Sequence, residues 1–344
     1  MLQALTIKNF RGIRELALED FGRINIFVGA NGVGKTTILE ALALVTSPYP
    51  NALRSLAEAR GLSLEDARAF TTLLHPSLSN PSAIQLSYIS QEKKTYTLTI
   101  RPRTTLFING TRRQEVIGGS YQLQSDDKSH QMLFPVPLGN QNDLIPPDYE
   151  VPSYTSAFLY GRTATDVAAS ADAITQMLGT QYYDLYLASL QSLLPSIQQV
   201  HVGYLAGVGP TILVEMLENE KASSVTLPIQ ALGDGINRLN LILLGAFLAR
   251  SGILAVDEID SGLHHSILNT TWEQFKHVLR ESSLQVFCTT HSEEMLESTI
   301  EAFADDPDSL RIFRLEKRDD GMLHAVKITY DALVSTTRMG LEIR

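Results

Sequence analysis

Two periods of hydrophobic and polar positions alternate along this chain. Near its start, "LTIKNF", "RELALED" and "INIFVG" are short runs with strand spacing, the last ending at Gly29. A helical pattern follows at once in "KTTILEALALVT", where Ile38, Leu39, Leu42 and Leu44 share an apolar face. Residues 51–75 carry helical spacing again, in "NALRSLAEARG" and "SLEDARAFTTLL". The strand-like runs "YTLTIRP" and "TLFIN" then form a hairpin region, with Asn109-Gly110 as a tight turn. From about 118 to 152 the chain is rich in Gly, Ser, Gln, Asn, Asp and Pro, a composition that predicts a long loop.

The second half alternates more regularly. A strand in "SYTSAFLY" precedes helices over roughly 164–194, which Pro195 closes. Strands "QQVHVGYL", "TILVEML" and "SVTLPI" lead to a helix over about 235–249 that is apolar on most faces. Then come strand 252–257, helix 266–280, strand 284–289, helix 292–304, strands 309–315 and 322–328, and a short last helix. Apolar strands alternating with helices predict a parallel sheet covered on both sides. No internal repeat and no sustained heptad array is visible, so coiled-coil arms are not expected.

Composition narrows the class. The chain has 344 residues, 44% hydrophobic and 19% charged, ordinary for a soluble globular protein with a sizeable core. It has no apolar run of about 18 residues, so no membrane span is expected. Its start has strand spacing in place of a basic-then-apolar leader, and Cys288 is its one cysteine. The expectation is a cytoplasmic protein without an intrachain disulfide. A net charge of −10 argues against a surface basic all over. DNA contact is therefore expected to be weak or indirect, through a local patch or another subunit. Arg101, Arg103, Arg112 and Arg113 flank the hairpin; they suit either phosphate contact or a charged guard on a solvated sheet edge.

The chemistry is concentrated in three places. "GANGVGKT", Gly29 to Thr36, fits G-x-x-x-x-G-K-[ST] between a strand and a helix. Glycines there let successive N–H groups turn inward, and the helix N-terminus adds its dipole. Asn31, Gly32, Val33, Gly34, Lys35, Thr36 and Thr37 are the candidate contacts for ATP. Lys35 would reach the β- and γ-phosphates, and Thr36 would offer its hydroxyl to Mg²⁺. The apolar run Ile253 to Val256 ends in Asp257 and Glu258. Two carboxylates at a buried strand end need a cation or hydrogen bonds. A Mg²⁺–nucleotide complex supplies the cation, so Asp257 is the expected metal acid and Glu258 the group polarising the attacking water. "LQVFCTTH" ends at His291, a candidate γ-phosphate donor at the same sheet edge.

"LTIKNFRGIRELAL" with "INIFVGANGVGKTTILEAL" resembles the opening of RecF-type and SMC-like members of the ABC ATPase superfamily. "LAVDEIDSGLHHS" and "CTTHSEEML" look like the Walker B, D-loop and switch-histidine segments, and the compact OLD-related ATPases are the nearest type. The resemblance covers residues 1–47 and about 225–344. It implies an α/β P-loop NTPase of the ABC head type: a mixed N-terminal sheet, a helical middle lobe and a parallel core sheet. That would be a single discontinuous head over 1–344, with a β-rich P-loop lobe (1–118), a middle region (119–224) and a Walker B lobe (225–344).

The family's heads bind ATP in pairs, each supplying a signature motif to the other. Here the candidate is "LGDGINRL", with Gly233, Asp234 and Gly235 at a helix start. The alternative is an ordinary helix cap by Asp234. Arg11 in "KNFRG" is similar to a phosphate-reaching residue of RecF-type heads, and an exposed strand-end arginine is the other reading. Arg162, between a strand and a helix, stands where lobe-coupling residues occur. Leu263-His264 matches the family D-loop, and His264 and His265 are not read as a metal pair because neighbours on a helix do not share a face. The residues after His291 are too few for a TOPRIM nuclease domain. The implied protein is an ATP- and Mg²⁺-dependent homodimer or higher homo-oligomer, controlling a separate effector such as a TOPRIM-type nuclease. A slowly hydrolysing scaffold is the alternative; a transporter subunit is disfavoured, lacking Leu-Ser-Gly-Gly and a Q-loop.

Overall fold

A computed structural model describes residues 1–47, 52–53, 56–57, 59–62, 74, 82–105, 115–125, 128–135, 156–159, 167–217 and 223–338. They divide into two compact units, Met1–Tyr154 with Arg311–Thr329, and Thr155–Leu310 with Tyr330–Ile343.

The first unit is built on an antiparallel sheet. β1 (Leu2–Phe10) and β2 (Ile13–Glu19) form a hairpin whose register closes at Phe10 and Ile13. Leu2, Leu5, Ile7 and Phe10 of β1 are fully buried, so one face of the hairpin is core. β4 (Ile84–Ser90), β5 (Thr95–Thr105), β6 (Glu115–Ser125) and β7 (Lys128–Pro135) extend the order to β2-β1-β4-β5-β6-β7. β3 (Ile24–Gly29), buried throughout, runs directly into the P-loop. Beside it lies β14 (Leu310–Lys317), which pairs antiparallel with β15 (Leu323–Ile328). The strands read from sequence as the end of the 225–344 lobe therefore belong to the P-loop unit. Phe313 of β14 secures this arrangement, its ring 5.6 Å from both Phe21 and Phe27.

Three sequence expectations are corrected in this unit. In the stretch from 118, read as a loop, residues 118–125 and 128–135 are strand: β6 and β7 pair with each other in register from Gly118–Pro135 to Ser125–Lys128. "YTLTIRP" and the start of "TLFIN" belong to one strand, β5, which accommodates Pro102 near a register shift at Arg103/Thr104. β5 is interior to the sheet, so Arg101 guards no edge; its guanidinium donates to Gln122 Oε1 of β6 at 2.8 Å. Residues 136–155, the Asn109-Gly110 turn, Arg112, Arg113, Arg162 and the side chain of Arg103 lie outside the described residues.

The second unit carries the predicted parallel strands. β12 (Ile253–Val256) pairs parallel with β13 (Gln285–Thr289) on one side and with β8 (Ser156–Leu159) on the other. Both β12 and β13 are buried at every residue, which explains the unbroken apolar run of β12 and the apolar Val286–Cys288 centre of β13. After α1 (Lys35–Thr46) of the P-loop unit, the described helices are α2 (Val167–Met177), α3 (Gln181–Leu193), α4 (Asp234–Leu248), α5 (Leu268–Arg280), α6 (Glu293–Ala302) and α7 (Tyr330–Arg338). α4 packs closely on the sheet at Gly245, where a Cβ would sit 3.0 Å from Leu254 and 3.3 Å from Leu159. On its other side α4 meets α2, α3 and an antiparallel sheet of β9 (Ile197–Leu205), β10 (Gly209–Leu217) and β11 (Ser224–Pro228). Among the described residues no helix is long and apolar enough to cross a membrane.

Candidate functional site

In the P-loop unit the backbone needs its glycines. Gly29, Gly32 and Gly34 have φ of 139°, 70° and 125°, values that L side chains rarely adopt. Gly29 is doubly constrained, because a Cβ there would lie 2.6 Å from the Leu315 carbonyl oxygen of β14. α1 begins at Lys35 with no side-chain cap at Gly34 and no acid in its first turn. Its first N–H groups are thus donors without intrahelical acceptors, at the positive end of the helix dipole. Lys35 is only 6% exposed, and its Nζ donates to the carbonyls of Gly29 at 2.7 Å and Ala30 at 3.0 Å. The ammonium is thereby held across the loop beside the exposed Ala30, Asn31 and Gly32; Thr36 and Thr37 are half-buried just after it. Curled backbone, an acid-free helix start and a tethered cation suit the phosphates of a nucleotide.

One turn further along α1, Glu40 is fully buried between two arginines that sequence reasoning did not pair with it. Arg11 donates to one carboxylate oxygen and Arg60 to the other, Arg60 at 2.6 Å. Arg11 is therefore not the exposed strand-end residue of one sequence reading. It occupies the β1–β2 turn at φ 52°, with its N–H on the Leu74 carbonyl. Breaking such a buried pair leaves uncompensated charge. Glu40→Gln should lower stability by about 2 kcal/mol, below the fully buried case because both arginines keep part of their hydration. A urea-midpoint shift measures this, and an unshifted midpoint would mean the triad contributes nothing.

In the second unit the two acids stand where the buried strand ends. The Asp257 N–H still donates to Leu159 of β8, after which Glu258 turns left-handed, φ 49°. Asp257 is half-buried and Glu258 exposed. Thr289, at the end of β13, bridges them. Its Oγ1 accepts the Glu258 N–H at 2.8 Å and donates to Asp257 Oδ1 at 2.7 Å. Thr290 Oγ1 donates to Asp260 Oδ1 at 2.6 Å and accepts from the Ser292 N–H. Ser292 in turn caps α6 through the Met295 N–H. His291 lies between these two anchored residues, half-buried, so the acid turn and the histidine are held in one frame.

The glycine-rich start of α4 belongs to the same unit. Gly233, φ 38°, is the N-cap residue, and Asp234 is the first helical residue without a side-chain cap bond, which corrects the reading of Asp234 as the cap. Asn237 Nδ2 donates to the Gly233 carbonyl at 3.0 Å, and the N–H groups of the first turn remain helix-start donors. Gly235 sits near Gly262, whose carbonyl a Cβ would meet at 3.5 Å. The sequence argument about His264 and His265 also needs correction: they border a 3₁₀ turn, and their rings are 4.0 Å apart. Arg238, which sequence reading passed over, is buried on α4 and donates to both the Asp257 and Glu258 carbonyls at 2.8 Å. Burial pulls its pKa below the usual guanidinium value, against the opposing pull of Asp260, Asp257 and Glu258. On the same sheet, burial pushes the Cys288 thiol pKa up, leaving it a core residue.

Residues 1–131 match the family "AAA ATPase domain", and residues 140–297 match "AAA domain, putative AbiEii toxin, Type IV TA system". An ATP/GTP phosphatase of Helicobacter pylori is 24% identical, the match covering 86% of this chain and 87% of that protein. The DNA replication and repair protein RecF of Heliobacterium modesticaldum is 30% identical over 93 residues, 27% of this chain and 24% of RecF. The uncharacterized protein MJECL10 of Methanocaldococcus jannaschii is 60% identical over 47 residues, 14% of this chain and 22% of that protein. The chain thus spans about a fifth of MJECL10 and a quarter of this RecF. Among solved structures, an SMC head bound to the C-winged helix domain of ScpA superimposes with a TM-score of 0.52 at 15% identity, covering 96% of this chain and 98% of that one. The fold is that of an SMC-type α/β P-loop head.

Proposed function

From these likenesses we propose that the chain is a RecF- and SMC-like ATPase of the ABC superfamily and a nucleotide-switched subunit working on a separate effector. Its own residues take these roles. Lys35 and the N–H groups around Asn31, Gly32, Val33 and Gly34 bind the β- and γ-phosphates, with Thr37 and Arg11 supporting them. Thr36 and Asp257 would hold Mg²⁺, whose charge would screen the phosphates. Glu258 orients and polarises the attacking water, and His291 donates a hydrogen bond to the γ-phosphate. Gly233, Asp234 and Gly235 present the α4 N-terminus to the nucleotide of a second copy, giving an ATP-linked homodimer.

The observation that carries this reading is the acid turn itself: at a buried strand end, the peptide groups of Asp257 and Glu258 are cross-braced by Thr289 and Arg238, and Thr289 also holds the Asp257 carboxylate. A solvated strand end needs no such bracing. For the effector, the support is by likeness alone. One matching family is described as a type IV toxin–antitoxin component, RecF acts in DNA replication and repair, and the SMC head superimposed here is bound to ScpA. A nuclease of the TOPRIM type, in nucleic-acid processing or antiphage defence as in OLD-related systems, is the partner class proposed.

Pairing is tested by light scattering on Glu258→Gln, chosen because it should hold ATP unhydrolysed. The mass should double with ATP and Mg²⁺ and stay monomeric with ADP; a monomer in both states removes the dimer. The purified chain should cut no DNA, and strong cleavage surviving Lys35→Ala and Glu258→Gln would remove the separate effector.

A further inference from the structure

Arg238 presents a puzzle of cost. Its side chain is buried at 5% exposure, and burying a guanidinium is unfavourable unless its donors and charge are matched. Yet two of its hydrogen bonds, both from Nη2, go to consecutive main-chain carbonyls, those of Asp257 and Glu258. Backbone carbonyls at an ordinary strand end are satisfied by water without such an investment. The matching charge comes from the field of Asp260, Asp257 and Glu258.

What the arginine holds explains its presence. Glu258 is a non-glycine residue in the left-handed region, at φ 49°, a conformation that L side chains adopt only at a cost. Its N–H is fixed by Thr289 Oγ1 and its carbonyl by Arg238, while the preceding carbonyl is fixed by Arg238 too. With both flanking peptide groups clamped from opposite elements, β13 and α4, the side chain of Glu258 keeps only its own rotamers. The clamp also reaches the start of α4. A Cβ on Gly262 would lie 3.8 Å from the Asp234 carbonyl oxygen and 3.9 Å from the Arg238 Cβ, so the turn after Glu258 packs on that first helical turn. The start of α4 and the turn that carries Glu258 are thus in contact.

We propose that Arg238 is a positioning residue for hydrolysis: it holds the left-handed Glu258 backbone so that the carboxylate meets the attacking water, and ties that geometry to the N-terminus of α4. It acts through Glu258 and does not bind nucleotide. This rests on the reading of Glu258 as the water-polarising group.

The test uses the full chain with Arg238→Met, Arg238→Lys, Glu258→Gln and the double variant Arg238→Met/Glu258→Gln. Misplacing a catalytic group by about 1 Å costs up to roughly 100-fold. Arg238→Met should therefore lower kcat about tenfold or more, with KM and the Kd of a fluorescent ATP analogue within about twofold. Arg238→Lys, which keeps the charge and a donor, should recover part of the rate. The double variant should be no slower than Glu258→Gln, because Arg238 acts through that residue. A general structural role would instead make the two losses multiply. Wild-type kcat in Arg238→Met, a loss confined to KM, or a further tenfold loss in the double variant would each overturn the proposal. Should Arg238→Met fail to fold, Arg238→Lys decides: reduced kcat at unchanged KM supports the clamp, and wild-type kcat overturns it. Glu258→Gln running at the wild-type rate would remove the underlying base assignment. Glu258→Gln inactive beside an unimpaired Arg238→Met would remove the clamp alone.

Discussion

Glu258→Gln should reduce ATP turnover by about 10²-fold or more while leaving ATP binding intact. The amide has nearly the carboxylate's shape, and the Glu258 backbone contacts to Thr289 and Arg238 do not involve the side chain. The substitution therefore leaves the turn folded and removes the negative charge and basicity that polarise a water. Glu258 is exposed, so the substitution disturbs little of the core. Steady-state phosphate release gives the rate, and a fluorescent ATP analogue gives the affinity. Turnover at the wild-type rate would mean that another group activates the water. A parallel loss of affinity would place Glu258 in ground-state binding instead. Asp257→Asn serves as the contrast. It disturbs a carboxylate that already accepts from Thr289, so both binding and rate should suffer.

The parts legible in the sequence were those whose physics is local. A P-loop needs positive-φ residues at fixed offsets before a helix, and Gly29, Gly32 and Gly34 write that need directly into the chain. Likewise the run Ile253 to Val256 followed by two acids announces a buried parallel strand and its end. β4 was legible and overlooked: Ile84, Leu86, Tyr88 and Ser90 alternate with period two, all facing the core. β6 is a different case. "EVIGGSYQLQS" has the glycines and polar residues of a loop, and it is a strand because β5 and β7 flank it on both sides. Arg238 and Glu40 were invisible for the same reason. Nothing in the helical spacing of α4 says that residue 238 meets residues 257 and 258, and nothing in α1 links Glu40 to Arg11 and Arg60. Long-range polar contacts fix the geometry of the site, whereas the local motifs identify its chemistry.

That division bears on Lys35, whose role is local in sequence and whose position in the fold is unusual. Its buried ammonium spans the P-loop by donating to the carbonyls of Gly29 and Ala30. A phosphate oxygen is a stronger acceptor for it than a neutral carbonyl, since the attraction of opposite charges adds to the hydrogen bond. Losing one charged hydrogen-bonding partner of a phosphate should weaken ATP binding by roughly 10- to 100-fold. The clearest readout is thermal. At ATP one hundred times above Kd, binding stabilises the folded protein by about 2.7 kcal/mol, and a 100-fold weaker Kd cuts this to about 0.4 kcal/mol. At roughly 2 °C per kcal/mol for a chain of this size, an ATP-induced rise in Tm of about 5 °C should shrink to about 1 °C in Lys35→Ala. The unliganded Tm should fall by a few degrees, because the buried Gly29 carbonyl loses its Lys35 donor. An undiminished ATP shift in Lys35→Ala would show that the nucleotide is not held by this loop, and the assignment of the first unit as the phosphate-binding element would fall with it.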